Sequence, residues 1–369
     1  MSPNGHGRRA TFPWVRTSTW LVLALLSGCG QGTTPPPPPS GAVLFMGRFD
    51  TSDPARPRFS FSGSRVVTRF DGSELRVRLA EAGPNRYGVR VDGAEQPVLA
   101  SQAGTHTYTL VSGLPAGEHD LVLARRTESF FGVTQLLGFE GARLLAAPPP
   151  PARFIEFVGD SITCGYGVLG DGPECKFSAD SESEPDAFGT LTAEALGAGH
   201  AAIACSGKGV LHNYGNDPSN LMPAVYLRTS CDNPGADWGF AGYRPDVVVV
   251  NLGTNDYWQG EPGQPFSDAF DAFLQVIRAR NPGAWIVLAL SPMLSDAFPA
   301  GALARSSART RLTALVAAAH ARGDTRVDFV ELDEQQEADG LGCNYHPGKL
   351  TQMKMAATLV TRIRALTGW

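Results

Sequence analysis

After the proline run at 148–151 the hydrophobic rhythm of the chain changes, and this limits the fold more than any other feature. Continuous apolar segments recur downstream at 154–158, 201–204, 247–250, 286–290 and 327–330. Helical stripes lie between and after them. Phe270, Phe273, Leu274 and Ile277 share one face, and Met353, Ala356, Val360 and Ile363 make a similar stripe near the C-terminus. Strands without polar alternation, separated by helices, predict a parallel sheet covered on both faces, so 153–369 reads as a three-layer α/β domain. In such sheets the groups that do chemistry gather beyond the carboxyl ends of the strands.

Upstream, from Ala42 to about Ala147, the rhythm is different. Alternating segments recur at 65–70, 75–79, 87–91, 106–110 and 119–123, separated by turn signals such as Asp71-Gly72, Asp92-Gly93 and Pro115-Ala116-Gly117. No stretch there has helical periodicity. Residues 41–147 therefore read as a β-sandwich of jelly-roll type, joined through a proline linker at 148–152 to the α/β domain.

The N-terminus reads as an address. Arg8, Arg9 and Arg16 precede an apolar run that ends in Leu26-Ser27-Gly28-Cys29. This pattern resembles a bacterial lipoprotein signal, residues 1–28, with Cys29 as the lipidated residue. The alternative is an ordinary secretory signal with a chance cysteine. The residues after Arg8-Arg9 fit a twin-arginine signal poorly. Residues 29–40, with prolines at 35–39, form an extended spacer. The expected partner at this end is a membrane, through a lipid anchor. Gly30, where an aspartate would favour retention at an inner membrane, points to an outer membrane or cell surface. A net charge of −5 gives no reason to expect a nucleic-acid partner.

An exported chain can form disulfides. Cys164, Cys175, Cys205, Cys231 and Cys343 remain after Cys29, an odd count that leaves at least one thiol free. Cys175 and Cys231, both in polar loop-like segments, are expected to pair. No C-x-x-C pair exists, so no metal site is expected.

The first apolar strand of the α/β domain runs into Gly159-Asp160-Ser161. Ser161 is the candidate nucleophile, and its own N–H at a helix start is a candidate oxyanion donor. Taken alone it could equally be a helix N-cap. Gly207, in Ser206-Gly207-Lys208-Gly209, follows the second strand and can offer its N–H to a closely approaching substrate. Lys208 reads as a solvated lysine. Asn255, in Gly253-Thr254-Asn255-Asp256, can donate through its amide, and Asp256 reads as structural, holding its loop through backbone N–H groups. Tyr257, Trp258 and Tyr345 are candidate substrate contacts, able to stack on a sugar ring, with simple wall packing as the plain alternative. His346, one of seven histidines, precedes Pro347 and a long helix, and it is the candidate general base. His212 lies near the second motif but lacks that setting.

In this order, Gly-Asp-Ser, Gly, Gly-x-Asn-Asp and His-Pro resemble the SGNH (GDSL-type) hydrolases. The run 155–167 and the upstream Arg125-Arg126-Thr127-Glu128 are similar to the second family of carbohydrate esterases. The resemblance implies a flavodoxin-like catalytic domain behind a jelly-roll domain. It also implies a Ser161–His346 acyl-enzyme mechanism with an oxyanion hole of Ser161, Gly207 and Asn255, and no cofactor. The implied substrates are acetylated plant polysaccharides such as xylan and glucomannan, often acetylated at the sugar 6-position. A glycan-binding chain with a weak or inactive esterase domain is one alternative, and a bacterial surface polysaccharide as substrate is another.

This sequence departs from that pattern in one place. Where most SGNH enzymes carry an aspartate three residues before the histidine, this chain has Cys343. A backbone carbonyl near Cys343 or Asn344 is expected to orient His346, with Asp333 and Asp339 as other candidates. A carbonyl can fix the tautomer, although it stabilises the imidazolium less than a carboxylate does.

Overall fold

The computed structural model describes residues 41–369 apart from positions 234 and 236. The proposed signal, Cys29 and the proline spacer at 29–40 lie outside the described residues. Among those described, no helix is long and apolar enough to cross a membrane.

The first half folds as ten strands: β1 (Val43–Met46), β2 (Arg58–Phe59), β3 (Arg65–Asp71), β4 (Leu75–Glu81), β5 (Arg86–Val91), β6 (Ala94–Ala100), β7 (Gly104–Val111), β8 (Glu118–Arg125), β9 (Thr134–Glu140) and β10 (Arg143–Leu145). One antiparallel sheet runs β1-β3-β8-β5-β6, with β10 also on β3; the other runs β2-β9-β4-β7. Alternation decides which face each strand buries. Along β4, Leu75, Val77 and Leu79 point inward while the arginines between them are half-exposed. Phe70 and Leu121 of the first sheet meet Val77 and Leu136 of the second in one apolar core. The pairing is nested: β3 holds β10, β4 holds β9, and β5 holds β8.

The second half runs β11 (Phe154–Gly159), α1 (Ser161–Cys164), α2 (Phe188–Ala195), β12 (Gly199–Ala204), α3 (Met222–Val225), β13 (Val247–Asn251), α4 (Gln264–Arg280), β14 (Trp285–Leu290), α5 (Ala304–Ala321), β15 (Val327–Glu331) and α6 (Lys349–Thr367). The strands pair in parallel in the order β12-β11-β13-β14-β15, the flavodoxin-like arrangement. Val248, Val250, Ile286 and Leu288 pack on one side with Phe270, Phe273, Leu312 and Leu315 of α4 and α5. Val247, Val249, Val287 and Ala289 pack on the other with Phe188 of α2 and Leu359 of α6. The stripe expected on α6 is shifted. Met355, Ala356, Leu359 and Ile363 face the core, whereas Met353 is largely exposed and Val360 half-buried. The 353-356-360-363 spacing selects a line that starts on the solvent side of the helix.

The interface between the two halves mixes apolar contacts, such as Phe61 packed into the α/β core, with buried polar ones. Arg48, just past β1, is fully buried and donates to the carbonyls of Tyr226 and Arg228 and to the Glu156 carboxylate of β11. Its guanidinium also lies over the rings of Tyr226, Trp238 and Phe240. Arg65 of β3 donates to Thr190 of α2 and contacts His200 of β12. Removing one partner of a buried pair strands the other charge away from water, at a cost of about 3–5 kcal/mol. Arg48→Ala is expected to lose about that much stability in denaturant unfolding. A loss below about 1 kcal/mol would show that Glu156 reaches solvent or another cation once Arg48 is gone.

Candidate active site

The sheet order places β11 between β12 and β13, so the loops leaving these three strands are neighbours. Gly159 ends β11. A Cβ there would meet the Thr163 hydroxyl at 2.0 Å and its Cβ at 2.7 Å, so close approach of the first helical turn requires glycine. Asp160 takes the N-cap, accepting from the Ile162 N–H at 3.0 Å. Ser161 is thus the first helical residue, not the cap, and its hydroxyl is left free for another partner.

That partner is His346. Its Nε2 lies 2.8 Å from Ser161 Oγ. Its Nδ1 faces the carbonyl oxygens of Cys343 and Asn344, each at 3.1 Å. Carbonyls only accept, so the proton belongs on Nδ1 and Nε2 is the acceptor for the serine hydroxyl. Neither Asp333 nor Asp339 reaches the imidazole, and Asp339 pairs instead with Lys354 of α6. The expected backbone-carbonyl orientation is the arrangement found. Loss of solvation around the ring lowers its pKa to about 4, and the two carbonyl contacts only partly offset this.

The histidine loop is held from several directions. Asn344 and Tyr345 both have left-handed backbone (φ 53° and 62°), uncommon for non-glycine residues. The Cys343 N–H donates to Gly167 O at 3.1 Å and the Asn344 N–H to Pro173 O at 2.8 Å. Tyr166 stacks on Phe177 at 3.6 Å, lies 4.3 Å from the His346 ring, and donates to Asn344 Oδ1. A disulfide joins Cys343 to Cys175 on the facing loop. The expected Cys175–Cys231 pairing is therefore corrected: Cys205 bonds Cys231, and buried Cys164 is the free thiol. Both Cys175 and Cys231 do sit in irregular segments, but each meets a cysteine beside a site loop, a proximity that local polarity does not encode.

Gly207 has a left-handed φ of 76° and follows β12 as expected. Asn255 Nδ2 donates to the Lys208 carbonyl at 2.8 Å and to Asp160 Oδ2 at 3.3 Å, so the three motif loops are bonded to one another. Asp256 is buried and accepts from the N–H groups of Val210, Leu211 and His212, the loop-holding role expected of it. Burial raises Asp160 to about 7, with its Ile162 N–H bond opposing and nearby Asp256 adding to the rise. Lys208 is half-buried rather than fully solvated.

Of the candidate substrate contacts, Tyr257 is corrected. It is 1% exposed, packs edge-on against Phe266, and shares a hydrogen bond with Ser307. A turn closed by Tyr257 N–H on Gly253 O sends this ring into the core and its neighbour outward. Trp258 is 40% exposed, between Tyr214 at 4.8 Å and Phe298 at 5.6 Å, two exposed aromatics that no motif marked. Tyr345 is 54% exposed and its hydroxyl donates to Glu174.

Residues 45–150 match the carbohydrate esterase 2 N-terminal family, and residues 157–352 match the GDSL-like lipase/acylhydrolase family. The class defined by that second match is the carboxylic ester hydrolases. The chain is 38% identical over 339 residues to the cellulase/esterase CelE of Acetivibrio thermocellus, covering 91% of this chain and 41% of that protein. It thus spans less than half the length of that relative. It is 26% identical to an acetylxylan esterase / glucomannan deacetylase of Cellvibrio japonicus, over 89% of each chain. A solved family two carbohydrate esterase from Clostridium thermocellum, in complex with cellohexaose, superposes with a TM-score of 0.85. It shares 38% identity with this chain over 89% of this chain and 99% of that one. The chain belongs to the family two carbohydrate esterases.

The geometry sets a pH dependence. His346 can accept the serine proton only while neutral, so activity is lost as pH falls through its pKa, and burial has moved that pKa down to about 4. kcat/KM, which reports the free enzyme, is expected to stay flat from neutral pH to roughly pH 5 and to decline below. A descending limb centred near 6.5, the ordinary histidine value, would refute this account of the imidazole.

Proposed function

We propose that this chain removes O-acetyl groups from polysaccharides through a Ser161–His346 acyl-enzyme. The observation that carries the reading is the 2.8 Å contact between Ser161 Oγ and His346 Nε2, with Nδ1 turned to two carbonyls. His346 takes the hydroxyl proton as Ser161 Oγ attacks the acetyl carbonyl. The N–H groups of Ser161 and Gly207 receive the developing oxyanion, joined by the Asn255 amide as it exchanges its longer, 3.3 Å bond to Asp160 for the oxyanion. As the tetrahedral intermediate collapses, the ester C–O bond breaks and His346 returns the proton to the sugar oxygen. Water, deprotonated by the same imidazole, then attacks the acetyl-enzyme and releases acetate.

Xylan and glucomannan are the proposed substrates, supported by the similarity to the acetylxylan esterase / glucomannan deacetylase of Cellvibrio japonicus. Trp258, with Tyr214 and Phe298 beside it, is the proposed sugar-stacking surface, and Tyr345 a further contact. The solved relative in complex with cellohexaose supports a second reading, in which this chain binds glycan. The nested strand pairing supports reading the N-terminal sandwich as a jelly roll.

Acetate release from a panel of acetylated polysaccharides, including bacterial surface polymers, tests the activity, with glycan pull-down run beside it. Ser161→Ala should abolish release, and Asn255→Ala should lower kcat by about 100- to 1,000-fold. Glycan capture without acetate release by wild-type protein would select the binding reading.

We further propose that the chain is exported and lipid-anchored through Cys29, on the strength of the Leu26-Ser27-Gly28-Cys29 pattern. In the native host, full-length Cys29→Ala should leave the membrane fraction for the soluble one. Unchanged membrane partition of that variant would rule out the anchor.

A further inference from the structure

We propose that Glu128, a residue of the sandwich, is a positioning residue for the oxyanion loop of the α/β domain; this rests on the deacetylase reading above. Glu128 lies three residues past β8, at the start of the short helical turn Ser129–Phe131, and is buried. Its carboxylate accepts the Ser206 N–H at 2.7 Å and also the Ser206 hydroxyl. Ser206 immediately precedes Gly207, the proposed oxyanion donor, so the peptide group that carries the Gly207 N–H begins at a residue gripped by the other domain.

The grip is built on both sides. The Glu128 N–H donates to Glu182 Oε2 at 3.1 Å, and its carbonyl accepts from Arg125 Nη2 at 3.0 Å. Arg125 is itself fully buried and also bonds the carbonyl of Thr127, the carbonyl of Gly132 and the hydroxyl of Thr134. Burial raises the carboxyls of both neighbours, that of Glu182 well above the usual carboxylate range, while the two Ser206 bonds oppose the rise at Glu128.

On the loop, three consecutive residues are each fixed by a different element. Ser206 is held by Glu128, the Gly207 carbonyl by the Tyr214 N–H at 2.7 Å, and the Lys208 carbonyl by Asn255 Nδ2 at 2.8 Å. Only the first of these comes from the sandwich. A left-handed glycine is conformationally permissive, so its N–H points usefully only if the flanking residues are fixed. Preorganised donors are effective because they need no reorientation during the reaction.

Reach and charge can be separated. Glu128→Gln keeps the length and can still accept the Ser206 N–H while donating to its hydroxyl. Glu128→Asp keeps the charge but is one methylene short. Turnover of an acetyl ester and thermal unfolding are measured for both variants in the full-length chain. Glu128→Asp should lower kcat by about tenfold or more with KM within about threefold of wild type, and Glu128→Gln should stay within about threefold of wild type in both. Ser206→Ala, which removes the hydroxyl bond alone, should lower kcat by about three- to tenfold with KM unchanged, and it reports on the loop even if Glu128→Asp does not fold. Wild-type kcat in Glu128→Asp or in Ser206→Ala would overturn the inference. So would an equal loss in the Gln and Asp variants, or a loss carried by KM. Wild-type turnover and its abolition in Ser161→Ala, in the same series, separate failure of this inference from failure of the deacetylase reading.

Discussion

A histidine that lacks a carboxylate partner must have its Nδ1–H accepted by something that cannot move, and the site is organised around that requirement. Two backbone carbonyls, of Cys343 and Asn344, meet it at 3.1 Å each. They fix the tautomer but bring no negative charge to stabilise an imidazolium, so they only partly offset the burial that lowers its pKa to about 4. A carbonyl also cannot be re-aimed by rotating a side chain; only backbone geometry directs it. Left-handed Asn344 and Tyr345 supply that geometry, a conformation costing about 1–3 kcal/mol per residue and kept only where neighbours over-determine it. Gly167, Pro173, Tyr166 and the Cys175 disulfide are those neighbours. Cys343 thus does two jobs at the position where an aspartate is usual. Its side chain ties the loop down, and its carbonyl accepts the proton-bearing nitrogen.

Ten of the fifteen described strands were legible because their periods are strong and local, whereas β1, β2, β6, β9 and β10 were not marked. Alternation marked β3, β4, β5, β7 and β8, and unbroken apolar runs marked β11 to β15. Ser161, Gly207 and Asn255 were legible because each follows such a strand, and a parallel sheet brings its carboxyl ends to one edge. What failed had no local signal. Trp258 and Tyr257 are adjacent aromatics, and only the tertiary turn at Gly253 sends one outward and one inward. On α6 two overlapping helical lines are both apolar, so Met353 and Met355 cannot be ranked without knowing where the sheet lies. The disulfides join residues 168 and 26 positions apart, and their partners are set by how loops fold over the sheet. The contact of Glu128 was also hidden, since its partner Ser206 lies in the other domain.

The character of the domain interface follows from the same geometry. Arg48, Arg65 and Glu128 leave the sandwich and end buried against Glu156, Thr190 and Ser206 of the α/β half. An apolar interface would hold the halves together at least as well, because buried ion pairs are weak contributors to net stability compared with well-packed apolar groups. What the polar contacts add is a unique docking position. A slip by one residue would leave a guanidinium or a carboxylate without a partner in low dielectric, at several kcal/mol each. The proposed oxyanion loop would tolerate little misplacement, since an error of about 1 Å can cost about 100-fold in rate. A sandwich docked in one register can therefore reach across and fix Ser206, where a sandwich sliding on an apolar face could not. On the proposal made for Glu128, these polar contacts are the means by which the sandwich would transmit positional precision to the carboxyl edge of the parallel sheet.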